Sequence, residues 1–571
     1  MKKTAKLAKS VDFWQVLWYN RNMINDRRIA ELEAENARLK SESSELKNEK
    51  VTLENEVNRL NGENARLKLL NDCYLEQLRL AQHRRFGASS EKTVTPEQLG
   101  LFNEAEALAD DAPESETVVS YTRQKKRHGK RKEFYDGLPC EQVIHELPED
   151  ERICPDCGKP LHACGHEVLR REVEVIPAQV RAVEHIQTVY GCRDCEKNAA
   201  DNVPPMLKSN VPAPVISGSG LASPSLVSFV MSNKYVLALP LYRQEQELQR
   251  IGIHISRQTM ANWVIYAADR WLAPIYNLLR AELLSNDILH ADETTVQVIK
   301  EQGRKASQHS YMWLYHTGRD AVRHVSLFEY QPTREGKHPQ TFLADYRGFL
   351  HVDGYAGYNE LENQGVILVE CWTHQRRKFD EALKSLRKDE RVNAISNTGL
   401  SYCNKLFELE RKFDELSLSH EERAEQRIRR SKPVADAFFA WAETTQAQAL
   451  PKSKLGQAVA YAVNQRSWLM NVFLDGRLEL SNNRAERSVR PFTVGRKNWL
   501  FSFCARGAKA SAVVYSIIET AQANGLVPFK YLNYLFETLP NITTSKLPDC
   551  LPWNPAVQEI CRIPAPKEKT K

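Results

Sequence analysis

Leucine recurs at positions 32, 39, 46, 53, 60 and 67, every seventh residue without a break. A strict seven-residue apolar period is the pattern of a left-handed coiled coil. With these leucines at d, the a column reads Ile29, Asn36, Ser43, Lys50, Val57, Asn64 and Asn71. Buried asparagine at a lowers stability but fixes register, most often in a parallel dimer. The flanking charges agree: Glu35, Glu42 and Glu63 face Lys40, Lys47 and Lys68 of a second copy, and Glu49 opposite Glu54 is the one repulsive pair. A dimerising coiled coil over 29–82 follows, after an N-terminal segment, 1–28. Arg21 to Arg28 is too sparse in charge for the basic region of a transcription-factor zipper.

A chain of 571 residues has room for roughly three or four domains. It holds no apolar run long enough to span a bilayer. The basic start, Met1-Lys-Lys-Thr-Ala-Lys, leads into a weakly apolar stretch containing Asp12 and Gln15 with no small-residue cleavage site, which argues against a secretory signal. The chain is therefore expected to stay in the cytosol. The net charge of +6 is too small for this length to argue for nucleic acid by itself, so the location of the charges decides.

Residues 83–135 read as linker. An acidic, alanine-rich stretch (103–116) is followed by Arg123-Gln-Lys-Lys-Arg-His-Gly-Lys-Arg-Lys, in which Lys125, Lys126 and Arg127 form a phosphate-contacting arm. Two matched knuckles come next, Cys154-Pro-Asp-Cys157 and Cys192-Arg-Asp-Cys195. Each C-x2-C turn offers two thiolates, and two turns close one tetrahedral zinc site with no open position. Residues 136–210 are therefore a zinc ribbon carrying one structural Zn2+, with β-ribbon expected at Val173–Pro177 and Val180–Val189. Cys164, His162 and His166 are bystanders in this reading.

From 211 to 285 the pattern is helical, with helices at Leu221–Asn233 and Pro240–Arg250. Gly252 then makes a turn, and Ser256 caps a third helix opening Arg257-Gln-Thr-Met. This helix-turn-helix-like order presents Arg257, Gln258 and Asn262 to base edges in a major groove.

Strand texture follows: Ile288–Ile299, Tyr311–His316, His324–Tyr330, Gly348–Val352 and Gly365–Glu370, with helices at Gln340–Tyr346 and Trp372–Arg387. Three strands, helix, strand, strand, helix is the order of a ribonuclease-H-like domain if a short helix joins the last two strands. Asp292 and Asp353 each close a His-x-Asp at the end of an apolar run, where an unneutralised carboxylate is costly. Glu486 sits one turn into a helix capped by Asn482 or Asn483. Strand, strand and helix each bringing one carboxylate to a point is how a protein holds two divalent ions for in-line attack on a phosphodiester. Glu293, Asp345 and Asp287 are weaker competitors; Asp345 is set aside as helical. Arg484, Arg487 and Arg490 on the same helix offset phosphate charge. The core is thus 286–387 and 481–525, interrupted by a helical insertion, 388–480, and followed by a tail, 526–571. The charged face from Glu421 to Arg430 is either solvated or a DNA contact. The whole is a multidomain α+β protein.

Arg84-Arg-Phe-Gly-Ala-Ser-Ser-Glu-Lys, the four cysteines, His290-Ala-Asp-Glu-Thr, His351-Val-Asp-Gly-Tyr, Asn482-Asn-Arg-Ala-Glu-Arg-Ser-Val-Arg-Pro, Arg496-Lys-Asn-Trp-Leu-Phe, Ser516-Ile-Ile-Glu-Thr-Ala and Leu551-Pro-Trp-Asn stand in order along the chain. In these motifs the chain resembles the IS66-family transposases of bacterial insertion sequences over nearly its whole length. The resemblance implies a DDE enzyme with Asp292, Asp353 and Glu486 as its triad. It also implies two Mg2+ ions with Mn2+ as a substitute, cleavage and joining of double-stranded DNA at transposon ends and target, and a homodimer or larger assembly. Accessory proteins of the same element are further implied partners. Cys371-Trp-Thr-His374 is similar to a Cys-x2-His motif before helical insertions in related enzymes. Phe501-Ser-Phe-Cys-Ala-Arg-Gly departs from the family's small, glycine-rich pattern. Two rival readings are a non-catalytic relic that binds transposon ends, and a junction or RNA–DNA hybrid nuclease. The intact acids oppose the first and the modules upstream oppose the second.

Overall fold

A computed structural model of the chain describes residues 4–86, 159, 180–191 and 206–564 apart from 388. The zinc-ligand candidates Cys154, Cys157, Cys192 and Cys195, and the basic arm Lys125, Lys126 and Arg127, lie outside the described residues.

The first element is one helix, α1 (Thr4–Phe86). It begins well before the expected coiled-coil boundary at residue 29, because no proline or glycine interrupts the N-terminal segment. Leu32, Leu39, Leu46, Leu53, Leu60 and Leu67 are all exposed, between 45% and 61%. Lys50 with Glu54, and Arg59 with Glu56 and Glu63, form pairs along the helix. Such solvated pairs contribute little. Among the described residues no helix is long and apolar enough to cross a membrane.

A short antiparallel pair follows, β1 (Val189–Gly191) with β2 (Met206–Lys208). Residues 180–188 carry no strand, contrary to the alternation read from sequence. Their side chains are exposed throughout, so the alternation has no buried face to pair on.

The chain divides into two compact units. The larger contains α2 (Pro224–Tyr235), α3 (Leu241–Arg250), α4 (Arg257–Ala267) and α5 (Ala273–Leu284). Ser256 caps α4 as its sequence predicts, accepting the Thr259 N–H at 3.1 Å. The sheet comprises β3 (Ile288–Lys300), β4 (His309–Thr317), β5 (Ser326–Gln331), β6 (Phe349–Val352) and β7 (Ile367–Glu370). Their spatial order is β5-β4-β3-β6-β7. The first three are antiparallel neighbours; β6 and β7 run parallel to β3. α6 (Lys337–Phe342) precedes β6, and a 3-10 helix (Ala356–Gln364) joins β6 to β7. β3 is the central strand, and its buried apolar residues Leu289, Ala291, Val296 and Val298, with Trp313, Phe328, Leu350 and Leu368, belong to one apolar core.

Beyond β7 the chain is helical: α7 (Trp372–Lys384), α8 (Ile395–Glu415), α9 (His420–Gln426), α10 (Lys432–Gln448), α11 (Lys454–Asn464) and α12 (Arg466–Met470). Of this stretch, residues 375–405 and 436–464 belong to the smaller unit with α1, and the rest to the larger. In the smaller unit Phe379, Tyr402, Phe438 and Trp441 form an aromatic core. There the Lys454 N–H donates to Glu76 near the end of α1 at 3.2 Å.

The charged segment 421–430 is not simply a solvated or DNA-facing surface. Arg427 is 2% exposed. It donates to both Glu410 carboxylate oxygens, at 2.7 and 2.8 Å, and to the carbonyls of Val472, Asp475 and Leu478. Arg423 bonds Glu410 and Asp414 beside it. The chain returns to the sheet through α13 (Asn483–Trp499), β8 (Ser502–Cys504), α14 (Ala505–Ala523), α15 (Pro528–Thr538) and α16 (Pro555–Cys561). β8 pairs parallel with the far end of β3.

Candidate active site

In the parallel ladder of β3 and β6, His290 stands opposite His351. Their rings stack, with centroids 4.3 Å apart and planes 10° from parallel. Two residues further along each strand come Asp292 and Asp353. Side chains alternate along a strand, so each acid shares its histidine's face. The stacked pair thereby holds the two carboxylates in step. Just past Asp353, Gly354 takes φ +82°, which lets the chain turn away, and the Tyr355 N–H donates to Asp353 Oδ1 at 3.1 Å.

Glu486 lies in the first turn of α13. Asn482 holds the N-cap position, but its side chain makes no capping bond. The amide instead donates to the carbonyl of Ala291 at 2.8 Å, and its oxygen lies 2.9 Å from His290 Nδ1. Its backbone N–H donates to Cys371 Sγ at 3.1 Å, and the Trp372 N–H donates to the Leu480 carbonyl at 2.9 Å. One asparagine therefore ties the start of α13 to β3 next to Asp292 and to the residue after β7.

Glu479 supports the same corner. Its carboxylate is 3.2 Å from His290 Nε2 and 3.2 Å from Arg484 Nε. Burial works to raise its carboxyl, but His290, Arg484 and His351 outweigh burial and hold it far below the usual range. Burial and the neighbouring His290 keep His351 well below the usual histidine value, so its neutral ring accepts the Glu479 N–H at 3.4 Å. Arg484, read from sequence as a phosphate partner, is engaged by Glu479.

The acids feel one another. Burial is the largest cause raising Asp292 well above the usual carboxylate range; the charges of Glu293 and Asp353, and more weakly Glu486, add to it, against the Glu293 N–H bonded to its carboxylate at 2.8 Å. Glu293 is also raised, first by burial and then by Asp353. Unlike Asp292, it is matched within the protein: Arg334 donates to it at 2.8 Å and the Tyr358 hydroxyl at 2.7 Å. Asp287 pairs with Arg477 at 2.9 Å. Asp345 lies in a turn after α6 rather than on a helix.

His374, four residues after β7 ends, has Nε2 3.7 Å from Glu486 Oε1. Cys371 is buried and its thiol is pushed up to about 11 by burial, which favours the neutral form that accepts from Asn482. Among the described residues no three His, Cys, Asp or Glu side chains stand close enough to hold a metal ion together. The donor chemistry nonetheless fits a hard divalent cation. Asp292, Asp353 and Glu486 offer carboxylate oxygens, and Asp292 carries a cost, from burial first and then from neighbouring negative charge, that added positive charge relieves.

The other sequence-derived contacts are spread over the larger unit. Arg487 and Arg490 are exposed on α13. Arg257, Gln258 and Asn262 are exposed on α4; Gln258 donates to Asn262 at 3.1 Å, Arg257 lies over the Tyr242 ring, and the Arg257 N–H donates to Glu245. His290, His351 and Glu479 carry no supporting role in the sequence reading, although the shared His-x-Asp spacing points to the two histidines, and Asn482 is read there only as a helix cap.

Comparison with known proteins agrees in order and extent. The family described as "Transposase IS66 family" matches residues 219–510. "Transposase C of IS166 homeodomain" matches 74–143, "zinc-finger binding domain of transposase IS66" matches 151–196, and "IS66 C-terminal element" matches 516–553. Similar proteins of Sinorhizobium fredii (strain NBRC 101917 / NGR234) include the uncharacterized protein y4hP, 29% identical over 76% of this chain and 78% of its own length. Another is the uncharacterized protein y4qI, 28% identical over 86% of this chain and 92% of its own.

Proposed function

Because this chain belongs to the IS66 transposase family, we propose that it binds the ends of its insertion sequence, cuts DNA there and joins the cut ends to a target. Its core in this reading is ribonuclease-H-like, and the strand order β5-β4-β3-β6-β7 with acids on the central strand and its neighbour supports that. The observation that carries the proposal is geometric: Asp292 and Asp353 each follow by two residues a histidine of the stacked His290–His351 pair, and Asn482, at the entrance of the helix that carries Glu486, bonds the Ala291 carbonyl beside Asp292.

Asp292, Asp353 and Glu486 would hold two Mg2+ ions, or Mn2+ in their place. When bound, such ions neutralise phosphate charge and make water or a hydroxyl a better nucleophile. The protein's own part is to hold the elements that carry the three carboxylates in fixed register. Asn482 and the His290–His351 stack do this from beneath, and Glu479 and Arg484 brace the turn into α13. Arg487 and Arg490 face solvent on α13 and draw the phosphodiester to the acids. In the cutting step water adds to phosphorus as the P–O3′ bond breaks, leaving a 3′ hydroxyl. In the joining step that hydroxyl adds to a target phosphorus and displaces the target's own 3′ oxygen.

DNA selection belongs to the other modules. Arg257, Gln258 and Asn262 meet base edges, and Lys125, Lys126 and Arg127 meet phosphates. One Zn2+ at Cys154, Cys157, Cys192 and Cys195 stiffens the ribbon, which agrees with the zinc-finger match over 151–196. The exposed leucine column of α1 pairs two copies, so that two DNA ends are held together. The domain boundaries belong to the same proposal: segment 1–28, coiled coil 29–82, linker 83–135, ribbon 136–210, DNA-reading helices 211–285, core 286–387 with 481–525, insertion 388–480 and tail 526–571.

The test uses duplexes carrying the ends that flank the gene. The wild-type protein cuts them with Mg2+, and Asp292→Ala keeps end binding while cutting falls below detection. Cutting that survives in Asp292→Ala, or fails in the wild-type protein on its own ends, would refute the assignment.

A further inference from the structure

α13 does not end on glycine. Trp499 is followed by Leu500 at φ +66° and ψ −51°, and the Phe501 N–H donates back to the Trp499 carbonyl at 2.8 Å. This is the rare and strained form of the three-residue turn, and a bulky side chain there is a true outlier. Past Trp499 the turn delivers no apolar side chain to the core. Leu500 is 63% exposed, Phe501 45% and Phe503 60%.

The tip is firmly mounted. β8 pairs with β3 at Val298–Ser502 and Lys300–Cys504. Arg496 donates to the hydroxyls of Thr294 and Thr295 on β3, at 3.0 and 3.1 Å. Trp499 packs edge-on against Phe492, and Phe492 against Tyr515. Phe501 stands at the entrance to β8 and Phe503 within it, two residues apart and both exposed. Lys300 Nζ lies 4.8 Å from the Phe503 ring centre. Arg506, beside them, is exposed and paired with Asp269.

A basic track leads to the tip. Arg487, Arg490 and Lys497 are exposed at helical spacing along α13, and Glu486 is the only acidic residue of that helix. From Glu486 to Trp499 the helix rises about 20 Å. At 3.4 Å per nucleotide that is roughly six nucleotides. Positive charge along a line, ending in exposed aromatic faces on a rigid mount, fits one chemistry: a DNA strand whose phosphates follow the line and whose unpaired bases stack at its end.

We propose that Phe501 and Phe503, with Lys300 and Lys497, form a stacking platform for unpaired nucleotides of the DNA engaged at the acid cluster. The proposal rests on the transposase reading above and adds a place for a single-stranded flank. It needs no metal, so it can be measured without cutting.

The probe is a duplex with a short oligo-dT tail carrying 2-aminopurine, in EDTA, with the full-length protein. The wild-type protein should quench the fluorophore and prefer tailed over blunt duplex. Phe501→Ala/Phe503→Ala should lose the quench and roughly 10–100-fold of that preference, with blunt-duplex affinity and melting temperature unchanged. Phe501→Tyr/Phe503→Tyr keeps the rings and should keep the signal, which guards against misfolding. An unchanged quench in the double alanine variant would overturn the proposal. So would a change confined to self-association, which would assign the patch to a protein contact. Asp292→Asn separates the two claims. Cutting by the wild-type protein without any quench removes the platform and leaves the enzyme; a quench without cutting by any form keeps the platform and removes the enzyme.

Discussion

The side-chain amide of Asn482 donates to the main-chain carbonyl of Ala291, the residue before Asp292, at 2.8 Å. A residue at a helix entrance thus holds the strand that carries the first acid. Asn482→Ala removes that bond and takes a partner from the Ala291 carbonyl and from His290 Nδ1. A stability loss of about 1–3 kcal/mol is expected. Mg2+-dependent cutting should fall further than stability does, by roughly 10–100-fold, as when the support of a metal ligand is lost. Chemical denaturation and strand-cleavage assays on one preparation measure both; cutting at the wild-type rate in a destabilised variant would show that Asn482 only props the fold.

Asp292 is raised by burial and by the acids around it, so in the absence of metal its charge opposes folding. Asp292→Asn should therefore melt higher than the wild-type protein in EDTA. Mg2+ or Mn2+ should raise the wild-type melting temperature, by the equivalent of about 2.7 kcal/mol at one hundred times the dissociation constant. The variant should respond little. Equal metal-induced shifts in both proteins would place the binding elsewhere.

Glu519 on α14 gives a pH dependence separate from the acids. Burial pushes its carboxyl up to about 8 from an ordinary value of 4.5. Its contribution to stability is complete below about 4.5 and is lost as pH rises through about 8. The wild-type melting temperature should fall between these values by a few degrees more than that of Glu519→Gln, which has no charge to gain. Identical pH profiles would mean that Glu519 is solvated in the folded protein.

Arg427 is a buried guanidinium with Glu410 as its counter-charge. Arg427→Ala leaves that carboxylate with Arg423 alone and takes the donor from three carbonyls, and roughly 3–5 kcal/mol should be lost. The double change Arg427→Met/Glu410→Leu should recover most of it, because a matched apolar pair carries no desolvation cost. Urea unfolding of the three proteins decides; a double variant no better than the single one would show that the carbonyl bonds, rather than the ion pair, matter most.

Elemental analysis should find one zinc per chain, reduced by Cys154→Ser and by Cys192→Ser alike. A folded, zinc-free wild-type protein would exclude the ribbon as a metal site.

The strands around the acids were legible in sequence because short apolar runs mark where they begin, although β3 continues eight residues past Asp292 while β6 stops just before Asp353. Ile288–Lys300 and Phe349–Val352 lie within a residue or two of the spans read beforehand. Two side chains were misread for one reason. Asn482 looks like a helix cap because local sequence shows only the helix after it, whereas its partners are about 190 residues away. Arg427 looks like surface charge because its neighbours are charged, whereas Glu410 lies 17 residues back and Val472 45 residues ahead. Periodicity reports which face is apolar. It does not report which polar residue is carried inside by a partner far along the chain.

Arg427 also decides what the helical excursion is free to become. Arg427 itself stands just before the chain leaves through α10 and α11, and its guanidinium bonds where the chain returns, at Val472, Asp475 and Leu478. A loop clasped at its mouth transmits little of its own length to the frame that holds it, and doubling such a loop costs only about 0.6 kcal/mol. The helices beyond the clasp form an exchangeable cassette. They can be shortened, enlarged or replaced while Glu479, Asn482 and Glu486 keep their places, so new binding partners could be added there without redesigning the chemistry.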